Sequence, residues 1–290
     1  MKKILHLILL VSMVACQPKG KNSESPEKAA FTAERNAFFS ALKNPQDVRL
    51  QLRPAAAFFD SSLLHDPGLV YQYAGNDVKA AANLGIYLAD LNYCILFDKS
   101  HFIQQYFSAT VELSKVVGIE KTAAKFLEKR YADNRTRTDS VQAIADSLFA
   151  RSVRDRQGTL KEKLAGIAMA TCQIENLHLA LAALESFPES LTKDQQETVA
   201  QLLSFVLQQH SNVLTIYNFV KTFSDPTDPD KNPNYPFFDN ALRELIGVYQ
   251  KINYVVPPDK IEVLGMKNSA EIKELHEKVK TIRSKIISLE

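Results

Sequence analysis

Glycine is scarce in this 290-residue chain, at nine residues. No Asn-Gly or Asp-Gly pair occurs, and alternating apolar/polar runs are nearly absent, which removes the usual signals for two-residue hairpins and half-buried strands. Also missing are the Gly-rich phosphate loop, the His-Glu-x-x-His zinc helix and the Gly-x-Ser-x-Gly elbow, so none of these three catalytic signatures supports an enzymatic reading. Cysteine is limited to Cys16, Cys94 and Cys172. Five of the histidines, at 65, 101, 178, 210 and 276, are scattered along the chain.

Helical periodicity fills the space that strands leave. The pattern predicts helices near 28–43, 77–97, 100–117, 120–132, 139–156, 160–185, 192–222, 239–254 and 269–289, with a mixed, extended connector from Val48 to Phe59. Asn76 and Ser100 are expected caps, and Gly118 an expected stop. Thr159 with Glu162 and Thr192 with Gln195 have capping-box spacing. No period of 20–50 residues repeats, so a solenoid is not expected. The fold class read from the sequence is all-α: a bundle of about eight to nine helices forming one domain over 31–290.

The first thirty residues have a different composition. Lys2 and Lys3 precede an apolar run from Ile4 to Val14, shorter than the ~20 residues that span a bilayer and of the length of a secretory signal. The run ends in Met13-Val14-Ala15-Cys16, which resembles the lipobox of bacterial lipoproteins, with Met13 where leucine is usual. That resemblance implies cleavage of residues 1–15, a diacylglyceryl group on the Cys16 sulfur and an acylated amino terminus. Several acyl chains hold a protein to a membrane where one is marginal, since each buried methylene contributes ~0.8 kcal/mol. Residues 16–30 are polar and are expected to form a tether reaching about 20 Å. Gln17 after the cysteine, by resemblance to lipoprotein sorting rules, points to the outer membrane, and the absence of an acidic cluster to its periplasmic face.

Without Lys2 and Lys3 the basic residues drop from 35 to 33 and equal the 33 acidic ones. A neutral balance argues against nucleic acid as a partner, because phosphate binding needs a basic face. With Cys16 acylated, Cys94 and Cys172 remain. They either pair in an oxidising compartment or stay as buried thiols.

Two apolar helices carry polar residues in register. Asn83, Tyr87, Asp90 and Cys94 share one face of ANLGIYLADLNYCILF, and Thr171, Glu175 and His178 share a stripe on AGIAMATCQIENLHLALAAL. A buried carboxylate must be paired or hydrogen-bonded. The stripes therefore predict either a structural network or a polar pocket built from Asn83, Tyr87, Asp90, Glu175 and His178 between helices 77–97 and 160–185. Glu175-x-x-His178 also has the spacing of di-iron bundles, although its nearest companion, Asp98-x-x-His101, falls at a helix end. In FSDPTDPDKNPNYPFFDN, Asp228, Asp230, Asn232, Asn234 and Asp239 fit a calcium-loop register. Pro233 stands where that loop needs glycine, and Asp239 replaces its glutamate. No cofactor is expected. Ile272, Leu275, Val279, Ile282, Ile286 and Leu289 form a short apolar seam that either packs on the body or dimerises.

Asn83-Leu84-Gly85-Ile86-Tyr87-Leu88-Ala89-Asp90-Leu91, together with Glu175 and Ile282-Arg283-Ser284-Lys285-Ile286-Ile287, resembles a group of all-helical bacterial envelope lipoproteins that carry an N-L-G-x-Y-x-A-D-L helix. The resemblance covers about 45–290 and implies a helical body and an acyl anchor. The expectation is an envelope-anchored binding or scaffolding module with a protein partner. A ligand-binding or enzymatic bundle using the polar stripes is the alternative.

Overall fold

The computed structural model describes residues 26–42, 45–53, 59–224, 232–252 and 264–288. Cys16 and the lipobox, Asp228, Asp230, Pro54 and Leu289 lie outside the described residues. Ten α-helices of eight residues or more occur among those described, with no strand, so the chain is an all-α multi-helix bundle. They are α1 (Pro26–Ala41), α2 (Pro45–Leu52), α4 (Asp77–Leu96), α5 (Ser100–Val117), α6 (Lys121–Asn134), α7 (Thr138–Ser152), α8 (Glu162–Ser186), α9 (Lys193–Val220), α10 (Tyr235–Tyr249) and α11 (Ala270–Ile287). A single turn, α3 (Val70–Tyr73), precedes α4.

The architecture is concentric. Helices α4 and α8 form the central pair, buried on nearly all sides. Helix α5 covers α4, α9 and α11 cover α8, and α10 closes the gap between α9 and α11. By length and composition α8 could cross a membrane, but 83% of its apolar window is buried within the bundle. It is a core helix.

Close approach of the central pair depends on glycine at one point. A Cβ built on Gly85 would lie 2.0 Å from the Ala168 carbonyl oxygen and 2.1 Å from Thr171 Oγ1. Any side chain there would push α4 and α8 apart. Alanines 81, 82, 165 and 168, all without exposed surface, continue the tight contact.

Several helix ends follow the expected capping chemistry, and two expected caps do not form. Asn76 accepts from the Lys79 amide, Thr192 and Gln195 form a complete capping box, and Ser269 accepts from the Ile272 amide. Gly118 ends α5 in the left-handed region at φ 115°. The box expected at Thr159 and Glu162 does not form. Thr159 Oγ1 accepts from Lys161, and Glu162 turns back to the Gly158 amide, so α8 starts at Glu162 itself. Ser100 is the first residue of α5 rather than its cap.

Two further expectations change. The stretch expected to be an extended connector from Val48 is helical to Leu52 as part of α2, because Arg49 and Leu52 lie on one buried face. This helix, added to the nine expected, makes ten among the described residues. Helix α1 begins at Pro26, inside the segment expected to be tether, with proline in the first turn where its missing N–H is harmless. The terminal seam packs inward: Ile272, Leu275, Val279, Ile282 and Ile286 are buried against the body. That burial removes the basis for a dimerising coiled coil.

Candidate functional site

The two polar stripes meet. Asp90 on α4 and Glu175 on α8 hydrogen-bond side chain to side chain, and neither has exposed surface. Glu175 Oε2 also accepts from Arg283 Nε of α11 at 2.5 Å, and Asp90 Oδ2 accepts from the His65 amide at 3.0 Å. The two remaining oxygens, Asp90 Oδ1 and Glu175 Oε1, meet no other donor. One shared proton between them satisfies both.

Electrostatics decides where that proton sits. Burial raises both carboxyls above their usual range, because the charged form loses its hydration. The Glu175 charge raises Asp90 further, whereas Arg283 and the bond from Asp90 hold Glu175 back. Asp90 is therefore the neutral acid and donor, and Glu175 the carboxylate paired with Arg283. Two like charges at this depth would not be tolerated.

The network fastens an irregular segment to the bundle. Arg283 Nη2 donates to the Leu63 carbonyl at 2.9 Å, and Tyr106 and Tyr87 donate to the carbonyls of His65 and Asp66, each at 2.8 Å. His65 stacks on Tyr87 and bonds the Tyr73 hydroxyl through Nε2 at 2.8 Å. Residues 63–66 are thus held by side chains from α3, α4, α5 and α11. Burial first, and Arg283 second, depress His65 to about 4 and His178 to about 3, so both rings are neutral at pH 7.

Of the residues expected to line a pocket, Asp90 and Glu175 join directly and Tyr87 and His178 border them. Asn83 stands apart, its Nδ2 donating to the Lys79 carbonyl in its own helix. The cluster is a packed network with no exposed carboxylate surface, which is the correction to the pocket reading. Arg283 was not singled out from the sequence as a site residue. The signal was the rule that a buried carboxylate needs a counter-charge, applied to the one arginine flanking an otherwise inward-facing apolar seam.

The guanidinium on Glu175 also occupies the carboxylate that a di-iron reading requires. Asp98 and His101 are exposed at the start of α5, with Asp98 accepting from Thr138. Among the described residues no three His, Cys, Asp or Glu side chains converge as metal ligands do. Of the calcium register, Asn232 caps the Asn234 amide and Asp239 pairs with Arg243 at 3.3 Å. Cys94 and Cys172 are free buried thiols, and burial pushes Cys172 up to about 12.

On the opposite faces of α4 and α8 lies an open cleft of about 50 Å³, bounded by α1, α2, α7 and α9. Its walls include Phe38, Phe149, Met169 and Ile216, and among the described residues no lining side chain carries a charge. Amides supply its polarity. Gln209 Nε2 donates to the Phe205 carbonyl at 2.9 Å, so its Oε1 receives the amide groups of Gln173 and Asn212, at 3.1 and 2.6 Å. Arg49, locked bidentately on Asp146, donates to Asn92 Oδ1 at 2.7 Å.

Comparison with protein-family models, with curated proteins and with solved structures finds no match to this chain.

Proposed function

We propose that the chain is an acyl-anchored lipoprotein of the cell envelope, its helical body serving as a binding or scaffolding module for an envelope partner. The single observation that carries this reading is Met13-Val14-Ala15-Cys16, placed after a basic start and an apolar run of signal length. The equal numbers of acidic and basic residues after removal of 1–15 support a protein or neutral partner over nucleic acid. The burial of Asp90 and Glu175 supports binding over catalysis, because a general acid or base must reach its substrate. The outer membrane, periplasmic side, is the proposed location.

Fractionation of expressing cells tests the anchor. The native chain is expected in the membrane fraction, with a mature N-terminal peptide beginning at a triacylated Cys16. Cys16→Ser is expected to abolish the acylated form. An unmodified N-terminus at any other residue would overturn the proposal.

A further inference from the structure

Helix α6 buries only a narrow stripe. Ala124, Leu127 and Tyr131 face α5 and α7, and Tyr131 stacks on Phe107 of α5 with 4.4 Å between ring centroids. The outer side carries two rows spaced by four, Lys121-Lys125-Lys129 and Phe126-Arg130, which the helix presents on one face. All five side chains are exposed, Phe126 to 55%. Of the neighbouring acids, Glu128 turns to Lys115 of α5 at 3.3 Å, Asp133 pairs with Lys129 at 2.8 Å, and Glu120 precedes the first turn. Lys121 and Lys125 have no acidic partner among the described residues, and Arg130 lies over the Phe126 ring at 5.7 Å.

A second exposed apolar side chain lies beside the start of this helix. Arg156 donates to the carbonyl of Gly118, three residues before Lys121, at 2.7 Å, so the loop after α7 adjoins the first turn of α6. Leu160 in that loop is 100% exposed. Gln157 of the same loop donates to Asn36 of α1 at 3.1 Å, and α1 opens ten residues after Cys16. The helix nearest the acyl-anchor sequence is thereby tied to the edge of the bundle where α6 begins.

We propose that the outer face of α6, with Leu160, rests on an anionic lipid surface. Lys121, Lys125, Lys129 and Arg130 meet lipid phosphates, and Phe126 and Leu160 enter the headgroup layer. A basic helix face with an exposed aromatic ring is the pattern of an interfacial helix, and long basic side chains reach phosphate while the ring sits deeper. The choice of lipid over an acidic protein rests on the acyl-anchor reading and deepens it, giving the anchored body an orientation.

The chain has no tryptophan, so Phe126→Trp puts a sole reporter on this face. The full chain carrying Cys16→Ser and Phe126→Trp is titrated with vesicles of phosphatidylglycerol and phosphatidylcholine in equal parts, with phosphatidylcholine vesicles, and with polyglutamate. Without acyl chains the titration reads the face, while fractionation of the native chain reads the anchor, so failure of one is distinguishable from failure of the other. Emission is expected to shift to the blue with the anionic vesicles, at a half-maximal lipid concentration about tenfold or more below that for phosphatidylcholine. Adding Lys121→Gln and Lys125→Gln should raise that concentration about tenfold with an unchanged melting transition. Leu214→Trp in place of Phe126→Trp puts the reporter on α9, where emission should stay as in water. No shift with anionic vesicles, an equal response to phosphatidylcholine, an equal response from Leu214→Trp, or a shift indifferent to the two glutamines would overturn the proposal. A response to polyglutamate without one to vesicles would overturn it too, and would give the face to an acidic protein.

Discussion

Asp90 and Asn92 lie two positions apart on α4, and Glu175 and Asn176 are adjacent on α8, yet they belong to opposite kinds of polar site. On one face the groups are ionisable, and its two carboxyls are wholly buried and bonded to each other, to Arg283 and to the His65 amide. On the other they are neutral amides that line an open cleft and bond chiefly to one another. The contrast teaches that polar residues in a core helix are read by the partners that burial demands of them. The charged face draws the eye first, but its charges are used up in holding residues 63–66. The amide face has no charge to pair and opens to a cleft.

The largest expected effect comes from breaking the charged face. Arg283→Met leaves the Glu175 carboxylate buried and unpaired and releases the Leu63 carbonyl. Urea unfolding is expected to show a loss of about 3–5 kcal/mol. Adding Glu175→Gln to Arg283→Met should recover part of that loss, because the uncompensated charge is gone. A double variant as unstable as the sum of the singles would mean the two side chains are not coupled.

Next in size is the contact that brings the two faces together. Gly85→Ala places a methyl within 2.1 Å of atoms on α8. It should destabilise by about 3 kcal/mol or more and disturb both faces at once, a pattern visible as a lower urea midpoint. Stability unchanged from the native chain would show that α4 and α8 do not approach as closely as described.

Smaller and opposite in sign are the pH responses of the charged face. Asp90 keeps its proton in the fold above 3.8, where an unfolded aspartate releases it, so stability from this group falls as pH rises past about 4. D90N has no such proton and preserves the donor to Glu175 and the acceptor for His65. Its stability relative to the native chain should therefore increase with pH over that window. His65 and His178 act the other way. Their folded values near 4 and 3 lie below 6.5, so their contribution is complete above 6.5 and is lost as pH falls toward those values. His178→Gln, which retains a donor toward Leu63, should flatten the acid limb of the urea midpoint against pH.

The sequence carried the helices well because periodicity and caps are local. Asn76, Gly118, the Thr192–Gln195 box and Ser269 all mark ends that side chains a few residues away determine. Helix α2 was misread because its alternating Val48, Leu50 and Leu52 mimic a strand; burial of Arg49 through Asn92 and Asp146 is what makes it helical, and those partners are 43 and 97 residues away. The meeting of Asp90 with Glu175 was legible as two stripes on two apolar helices. Its closure by Arg283 was not, since the pairing spans 108 residues. The amide cleft was illegible for the same reason: Asn92, Gln173 and Gln209 look like incidental polar residues until α4, α8 and α9 bring them side by side.

The claim that the charged face is closed around a single proton is tested most directly by infrared spectroscopy at neutral pH. A buried, protonated carboxyl gives a carbonyl stretch distinct from carboxylates and amides. The folded chain should show one such band at pH 7, shifted by ¹³C labelling of aspartate and absent in D90N. A spectrum with no protonated carboxyl, or a band that survives D90N unchanged, would contradict it.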